Sequence, residues 1–464
     1  MRQRILALAV LFSCGSVAAA QLAQAQNTPT PDPGNDASLT WNGITLYGNV
    51  DLGLQYQTHG ARASDYIAYS TEPVIQKNSS GSVSGLVSSP LSWSRIGLAG
   101  REPLAQDWSA VFRLETYFNP TSGDLSDGLK SLTLNNGRAL SSQSSNLDSS
   151  VAGQLFGGGA VVGVESPVYG TLTFGRQATL LADGIVSYDA MEDGQDSAHA
   201  FSLLGGSRTA AGGGTTEDTR LDHSVKYTAT HRWLHAGVLY QFNGSGGLAG
   251  TALQVELGAS FAGGSIDAYY ARKYDAISAS ALSAAQLAGL APAYASGNSI
   301  AGTVSDNSAY ALMGGYNFGT VKLYAGYEYI SFANPNTPLS SGYVDIGGYV
   351  LAYVNNTAYD SKKDLQVFWS GVKWSVTPDF YLAAAYYGYR QNSFATGKNA
   401  GCSSTVNSGC SGSENAFSVL GDYRLTRRFD AYLGTLWTGV QGGLASGFLN
   451  ASTLTTTAGI RFKF

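Results

Sequence analysis

The final residues of the chain, 454–464, alternate between apolar and polar side chains. One parity carries Leu454, Thr456, Ala458, Ile460, Phe462 and Phe464, and the other carries Thr455, Thr457, Gly459, Arg461 and Lys463. Successive side chains of a β-strand point to opposite faces, so this segment has one apolar and one polar face. A membrane barrel turns the apolar face of each strand to lipid, whereas a soluble β-sandwich turns it to the core. Parity alone therefore leaves both folds open.

The amino terminus favours an exported protein. A basic start over residues 1–4 precedes an apolar run over residues 5–12 and then several small residues. This run is much shorter than the roughly 20 residues that a membrane-spanning helix needs, and the order of features is typical of a secretory signal peptide. We predict a signal of residues 1–25 with cleavage after Ala25, and Ala20 is the alternative cleavage site.

The composition favours a membrane barrel over a soluble enzyme. Of 464 residues only 13% are charged, while the chain carries 58 Gly, 28 Tyr and 18 Phe. Aromatic girdles and glycine-containing strands suit a barrel, and no other apolar stretch approaches the length that a spanning helix needs. Loss of Arg2 and Arg4 with the signal would change the net charge by two, from -5 to -7. This acidic balance argues against nucleic acid as a partner.

After a leader over residues 26–42, strand-like segments alternate with Gly-, Asn- and Ser-rich connections through residues 43–464. We predict about sixteen strands, an even number as closed bacterial barrels require. The predicted strands are residues 44–56, 92–102, 108–117, 154–165, 171–176, 220–230, 234–242, 253–261, 265–273, 308–318, 321–330, 364–374, 380–390, 416–424, 429–437 and 454–464.

The connections between these strands alternate in length. Short turns such as 425–428 alternate with long polar stretches, which are residues 57–91, 118–153, 177–219, 274–307, 331–363 and 391–415. Short periplasmic turns and long extracellular loops are typical of an outer-membrane barrel. We therefore predict an all-β fold, a closed transmembrane antiparallel β-barrel. An Ala/Leu-rich stretch over residues 278–291 predicts a short helix within one loop.

Six segments in order along the chain resemble the general porins of the Gram-negative outer membrane. They are ITLYGNVD at 44–51, SRIGL at 94–98, FRLE at 112–115, YGTLTFGRQ at 169–177, SVKY at 224–227 and GIRFKF at 459–464. The resemblance implies a sixteen-stranded homotrimer in outer-membrane lipid, with Phe464 as an assembly signal. It also implies that one long connection, residues 178–219, folds into the lumen as a constriction loop.

The resemblance further implies a constriction with opposed charges. The acidic residues of the constriction loop are Asp183, Asp189, Glu192, Asp193 and Asp196, and the arginines expected on the facing wall are Arg95, Arg113, Arg176 and Arg220. Strand parity points Arg95 and Arg220 inward, and Arg113 shares its face with Glu115. Arg176 falls on the outward parity, so it reaches the lumen only if Gly175 supports a bulge.

One segment departs from this pattern. Many relatives carry an Arg-Gln pair on the fourth strand, where this chain has Phe156 followed by three glycines and Ala160. A wall arginine is therefore expected to be missing, which weakens any expectation of strong anion selectivity.

Cysteine usage predicts one disulfide. Cys14 faintly resembles a lipoprotein attachment site, but we interpret it as an incidental residue of the discarded signal. Cys402 and Cys410 lie in a short polar loop of an exported chain, which favours a disulfide between them. A metal-binding pair is the alternative, although no His or carboxylate lies between the two.

No pattern supports catalysis. The chain has five histidines, and none shows a motif with Ser or Asp that would support hydrolysis. We predict that the protein is not an enzyme and has no cofactor and no metal site. The predicted function is passive diffusion of small polar solutes and ions through a water-filled pore. A substrate-specific channel of the same fold is the first alternative, and an adhesin or receptor barrel is the second.

Overall fold

The computed structural model describes residues 39–67, 75–146, 151–191, 200–203, 219–242, 251–397, 402 and 407–464. The predicted signal peptide, most of the leader, and the acidic residues Glu192, Asp193 and Asp196 lie outside these ranges. None of the described helices is long and apolar enough to cross a membrane.

Antiparallel strands dominate the described residues. The strands are β1 (Thr40–Trp41), β2 (Ile44–Gly60), β3 (Gly81–Ser88), β4 (Arg95–Pro103), β5 (Ser109–Tyr117), β6 (Gly159–Ser166), β7 (Gly170–Ala178), β8 (Arg220–His231), β9 (Leu234–Gln241), β10 (Ala252–Phe261), β11 (Gly264–Ser280), β12 (Ser299–Asn317), β13 (Val321–Ala333), β14 (Tyr343–Ile346), β15 (Tyr349–Asn355), β16 (Lys363–Thr377), β17 (Phe380–Gln391), β18 (Gly412–Arg424), β19 (Phe429–Gly442) and β20 (Ser452–Lys463). The helices are α1 (Gly128–Thr133), α2 (Leu180–Ser187) and α3 (Ala284–Ala288), with 3-10 turns at Leu140–Ser142, Pro292–Tyr294 and Gly443–Ala445.

The strands form a closed 16-strand barrel. Strands β3 and β4 both pair with β2 and together make one interrupted wall strand, while β1, β14 and β15 are additions outside the main ladder. Closure comes from β2 and β20, with Val50 opposite Phe462. The backbone of Phe464 extends this contact because it exchanges two hydrogen bonds with Gly48. The absence of a side chain at Gly48 leaves room for the Phe464 ring.

Every predicted strand is present, but several bounds differ. The region 57–91 was expected to be a loop, yet β2 continues to Gly60 and β3 occupies Gly81–Ser88. The β3 sequence is rich in Gly and Ser, which have low strand propensity, so pairing with β2 rather than local preference makes it a strand.

The predicted helix over residues 278–291 is shorter than expected. Residues 278–280 end β11, where Ser278 pairs with Thr303 of β12. Helix α3 begins only after Ser283, whose side chain forms a capping box with Gln286. The cap fixes the helix start, and the strand pairing of the preceding residues excludes them from it.

The apolar parity of the strands faces outward. On β20, Leu454, Ile460 and Phe462 are exposed, whereas Thr457 and Arg461 are buried toward the interior. The neighbouring strands repeat this pattern, and the exposed set includes Leu46, Leu98, Phe174, Leu257, Leu312, Leu323, Phe417, Val419 and Leu433. An apolar exterior over polar inward groups is the arrangement of a barrel that sits in lipid.

Part of the barrel interior is nevertheless apolar. Leu365 and Trp369 of β16 and Tyr387 of β17 point inward and are buried in one large cluster. Leu181 of α2 and Phe201 belong to the same cluster, although they come from the connection between β7 and β8. This connection therefore packs inside the barrel and covers one side of the inner wall.

The long loops at one end of the barrel pack against one another. Leu129 of α1, Ile300 of β12 and Leu351 of β15 share a small buried cluster. The start of β12 also pairs in parallel with β15, and the Tyr349 hydroxyl donates a 2.7 Å hydrogen bond to Asp127. The barrel mouth is thus bordered by a folded cap.

Candidate functional site

Four arginines lie on one sector of the inner wall, at Arg95 of β4, Arg113 of β5, Arg176 of β7 and Arg220 of β8. We call this set the basic wall. Arg95 keeps 17% of its side chain exposed, whereas Arg220 is only 4% exposed. Arg176 is also buried, and Arg113 is half-buried. Arg95 and Arg113 are therefore the members that water and solutes can reach.

Arg176 and Arg220 are held by backbone carbonyls of the glycine run before β6. The Nε atom of Arg176 donates to the carbonyl of Gly157 at 3.0 Å, and Nε of Arg220 donates to the carbonyl of Gly158 at 2.6 Å. Arg176 also forms a 2.7 Å ion pair with Asp222. The segment that lacks the expected arginine thus supplies acceptors that fix two other arginines.

The Arg220 guanidinium lies beside a pair of contacting aromatic rings, those of Trp93 and Tyr117, whose centroids are 4.2 Å apart. It lies 4.8 Å from the Tyr117 ring centroid and 5.5 Å from that of Trp93, and it donates to the Tyr117 hydroxyl. Both rings are buried. A buried cation in this setting is stabilised by the ring faces and by hydrogen bonds rather than by water.

A backbone irregularity brings Arg176 inward. The β7–β8 register shifts between Gly175 and Gln177, so that Asp222 and His223 oppose the single residue Arg176. Gly175 has φ +125 and His223 has φ 50, both in the left-handed region. The predicted bulge at Gly175 is therefore present, with the extra residue on β8.

Glu115 of β5 lies at the centre of the basic wall and is fully buried. Its Oε2 accepts a 2.9 Å hydrogen bond from the Tyr47 hydroxyl and lies 3.7 Å from Nε of Arg95. Arg113 and Arg220 are also close enough to stabilise its negative charge. The basic wall thus contains one internal counter-charge, which lowers its net positive charge.

The connection 178–219, which we call the lumen segment, begins along the inner faces of β9–β11. Thr179 caps α2, the backbone N–H of Leu181 donates to Gln254 at 3.0 Å, and Gly184 lies against the Tyr269 ring. The Tyr188 hydroxyl then shares a 2.7 Å hydrogen bond with the Ser265 hydroxyl. Apolar packing and side-chain hydrogen bonds together hold this first part to the wall.

The lumen segment then continues along the inner faces of β16, β17 and β19. Nε1 of Trp369 donates to the carbonyl of Tyr188 at 2.8 Å, and the Tyr389 hydroxyl donates to the carbonyl of Leu203 at 2.8 Å. Phe201 packs over Gly434 and the Tyr432 ring. Aromatic side chains of the barrel therefore anchor the second part.

Barrel order places much of the lumen segment across from the basic wall. Counted from β2, the arginines occupy the second, third, fifth and sixth wall strands, and β16 and β17 are the twelfth and thirteenth. In a ring of sixteen, each strand lies across from the strand eight places on. The part of the lumen segment on β16 and β17 therefore lies across from β6 and β7, in the sector that carries the arginines.

Two predicted acidic residues of the lumen segment are described, and each has a partner on the wall. Asp183 forms a 2.9 Å ion pair with Lys226 of β8. Asp189 is fully buried and accepts from the Tyr387 hydroxyl at 2.6 Å and from the Ser202 hydroxyl at 2.7 Å. Both carboxylates therefore hold the lumen segment in place.

Three wall residues that hold the lumen segment were not predicted from the sequence, and they are Lys226, Tyr387 and Trp369. Lys226 shares the inward parity of Ser224, so its direction was readable, but its partner lies 43 residues away. Tyr387 and Trp369 share their inward faces with apolar and polar residues such as Leu365 and Gln391, and nothing in the local sequence marks them as anchors.

Cys402 and Cys410 form a disulfide in the connection between β17 and β18. Cys410 is buried, and its carbonyl accepts a 2.7 Å hydrogen bond from Gln391. The bridge closes a loop at the long-loop end of the barrel, remote from the basic wall.

A family model described as Gram-negative porin matches residues 7–438. An outer membrane porin protein of Bordetella pertussis is 26% identical over 201 residues, which are 43% of this chain and 43% of that protein. The matched part thus spans less than half of this curated relative.

Solved structures share the fold. An anion-selective porin from Comamonas acidovorans superimposes with a TM-score of 0.58 at 18% identity, over 91% of this chain and 99% of that one. The trimer form of OmpT, an outer membrane protein of Vibrio cholerae, gives 0.52 at 13% identity, over 91% and 99%. At these identities the likeness concerns the barrel architecture.

Proposed function

The chain belongs to the Gram-negative porin family and lies in the outer membrane, and we propose that it forms a water-filled channel for passive diffusion of small hydrophilic solutes and ions. The observation that carries the proposal is the closed barrel with an apolar exterior and solvent-accessible inward charges at Arg95 and Arg113. Family and fold point to a channel rather than an enzyme.

The proposed channel is narrowed by the lumen segment opposite the basic wall. Fixed cations across an aqueous gap from backbone and carboxylate oxygens create a transverse field, which low-dielectric walls focus. Small polar solutes align their dipoles in this field and pass, whereas apolar solutes must displace ordered water and are retarded. Glu115 and Asp222 neutralise part of the basic wall, so we propose only a weak preference for anions.

Arg95→Ala tests the charged constriction. Because Arg95 is one of the two partly exposed cations of the basic wall, its removal should shift the reversal potential in a salt gradient toward cations. Arg138→Ala removes an equal charge from an exposed loop residue and should leave the reversal potential unchanged. Equal reversal potentials for R95A and the wild type would show that Arg95 does not contribute to the constriction.

Arg220→Ala separates structural from solute-facing roles. Since this guanidinium is buried against the rings of Trp93 and Tyr117, its loss should lower the stability of the folded barrel more than it changes selectivity. Heat-dependent gel mobility reports stability, and bilayer recordings report selectivity. A normal melting profile combined with altered selectivity would contradict this assignment.

Liposome swelling with solutes of graded size and charge distinguishes the alternative functions. Passive diffusion predicts rates that fall smoothly with solute size and do not saturate. A substrate-specific channel is the second candidate, because aromatic anchors and the lumen segment occupy one side of the interior. It predicts saturable uptake of one solute class. An adhesin or receptor barrel predicts little swelling at all.

We also propose that the protein is a homotrimer. The family membership and the trimer form of the OmpT structure support this state. Unheated protein should migrate on a gel as a species about three times the monomer mass and should collapse to monomer on boiling. A monomeric mass in mild detergent by light scattering would exclude it.

A further inference from the structure

Three potential metal ligands converge on the inner wall away from the basic wall. His235 of β9, Glu256 of β10 and Asp267 of β11 come from three successive strands, and their ligand atoms all lie within 4.8 Å of one another. His235 is 9% exposed, Glu256 is 8% exposed, and Asp267 is fully buried. We propose that these residues form a binding site for a divalent transition-metal ion, with Zn²⁺ as the best match.

The strand register builds the cluster. Gly258 of β10 lies opposite both Asp267 and His235, so their side chains meet over a residue that has none. A Cβ atom at Gly258 would collide with both groups, and one at Gly237 would lie 2.9 Å from Oε2 of Glu256. Two glycines thus clear the space in which the three ligands come together.

The charge of this region calls for a cation. Glu256 and Asp267 are neighbouring buried carboxylates, and Asp183 of the lumen segment adds a third negative charge nearby. Among the described residues, the basic side chain acting on Glu256 is Lys226, which already pairs with Asp183. Buried carboxylates need pairing or a metal, and a divalent ion would supply the missing positive charge.

The ligand types favour Zn²⁺ over Ca²⁺. Zn²⁺ accepts imidazole nitrogen and carboxylate oxygen, and three protein ligands is the number found in zinc sites that leave a fourth position open, whereas Ca²⁺ prefers six or more oxygens. His235 already contacts Asp267 through Nε2, the atom that would bind the ion. The Tyr188 hydroxyl donates to the other oxygen of Asp267, so the site also adjoins the lumen segment.

Titration of the refolded full-length protein with Co²⁺ tests the site, because Co²⁺ reports four-coordinate geometry through its visible absorption. The wild type should bind about one ion per chain with an intense visible band, and Zn²⁺ should displace it. His235→Gln and Glu256→Gln should weaken binding by at least about 100-fold, beyond the 10–100-fold that outer partners contribute. His231→Gln, at an exposed strand end, is the matched control and should bind like the wild type.

A second measurement uses the unmodified chain. Diethyl pyrocarbonate labelling read by mass spectrometry should show that Zn²⁺ protects His235 while His231 and His223 stay reactive. The proposal is overturned if Co²⁺ gives no such band, if His235→Gln binds as tightly as His231→Gln, or if Zn²⁺ leaves the labelling of His235 unchanged. Should either variant fail to fold, the labelling result alone decides.

Discussion

At the scale of single residues, the glycine run at 157–159 does more than omit an arginine. Two carbonyls of the run hold Arg176 and Arg220, and Gly158 also sits against Glu115, the counter-charge of the basic wall. A side chain at this position would compete with Glu115 for space. The run therefore helps to determine where the neighbouring charges lie.

Gly158→Val tests this role. A Cβ atom at Gly158 would lie 2.7 Å from Oε1 and 2.8 Å from Cγ of Glu115, whose carboxylate Tyr47 and Arg95 keep in place. Overpacking of this kind costs about 1–3 kcal/mol, so we expect the temperature at which the folded gel band disappears to fall.

Gly85→Val is the control for this substitution, because no atom lies within 4 Å of a Cβ built on Gly85. It should melt like the wild type. If both variants melt at the same temperature, the Glu115 side chain can move away from residue 158 at little cost, and Gly158 does not fix its position.

At the scale of elements, the described part of the lumen segment is held mainly by side chains of the barrel, with an added backbone hydrogen bond from the N–H of Ala200 to the carbonyl of Pro90. Among the described residues of the segment, Asp189 carries the most deeply buried charge, and its carboxylate accepts hydrogen bonds from Tyr387, Ser202 and the backbone N–H of Met191. Tyr387 belongs to β17, and the other two groups belong to the segment. Asp189 therefore links the lumen segment to β17.

Tyr387→Phe should weaken the attachment of the lumen segment to β17. Loss of one hydrogen bond to a buried carboxylate costs about 1.5–3 kcal/mol, and this cost falls on the lumen segment before the barrel. We expect faster limited proteolysis between residues 188 and 203 and noisier open-channel current. Tyr423→Phe, at a half-exposed outward position, should change neither. Equal cleavage rates in the two variants would show that Tyr387 does not anchor the segment.

The sequence predicts elements better than it predicts contacts between them. Period-two alternation located all sixteen wall strands because each strand has one lipid face and one inward face. It missed β3, since the Gly- and Ser-rich stretch at Gly81–Ser88 becomes a strand only through its partner β2.

The candidate site could be predicted only in part, because contacts between strands have no local sequence signal. Parity placed Arg95 and Arg220 inward, and Gly175 signalled the bulge that turns Arg176. The cluster of His235, Glu256 and Asp267 has no motif, because its members lie far apart in sequence and meet only through the register of three strands.

At the scale of the whole molecule, the direction of the apolar faces determines the environment. The outward residues are large and exposed around the barrel, while the inward ones pair, hydrogen-bond or pack against the lumen segment. In water this apolar exterior would be hydrated at a cost in free energy, whereas in a bilayer it contacts acyl chains. The free energy of a charge placed on the exterior should therefore depend on its depth in the bilayer.

Leu433→Arg places such a charge near mid-depth. Leu433 is 59% exposed on the outward face of β19 and lies four residues from Phe429, where that strand begins after a short turn. At about 3.3 Å per residue and a tilt of about 40°, this is about 10 Å into an apolar band about 25 Å tall.

We expect Leu433→Arg to cost about 2–4 kcal/mol of folding free energy, measured by urea titration of the barrel in lipid vesicles. Leu425→Arg provides the comparison, because Leu425 is 52% exposed in the turn itself, where an arginine costs about 0–1 kcal/mol. The difference between the two arises from depth alone, since both replace an exposed leucine on adjoining elements. Equal costs, or cooperative folding of the wild type in buffer without lipid or detergent, would mean that the apolar exterior does not face a bilayer.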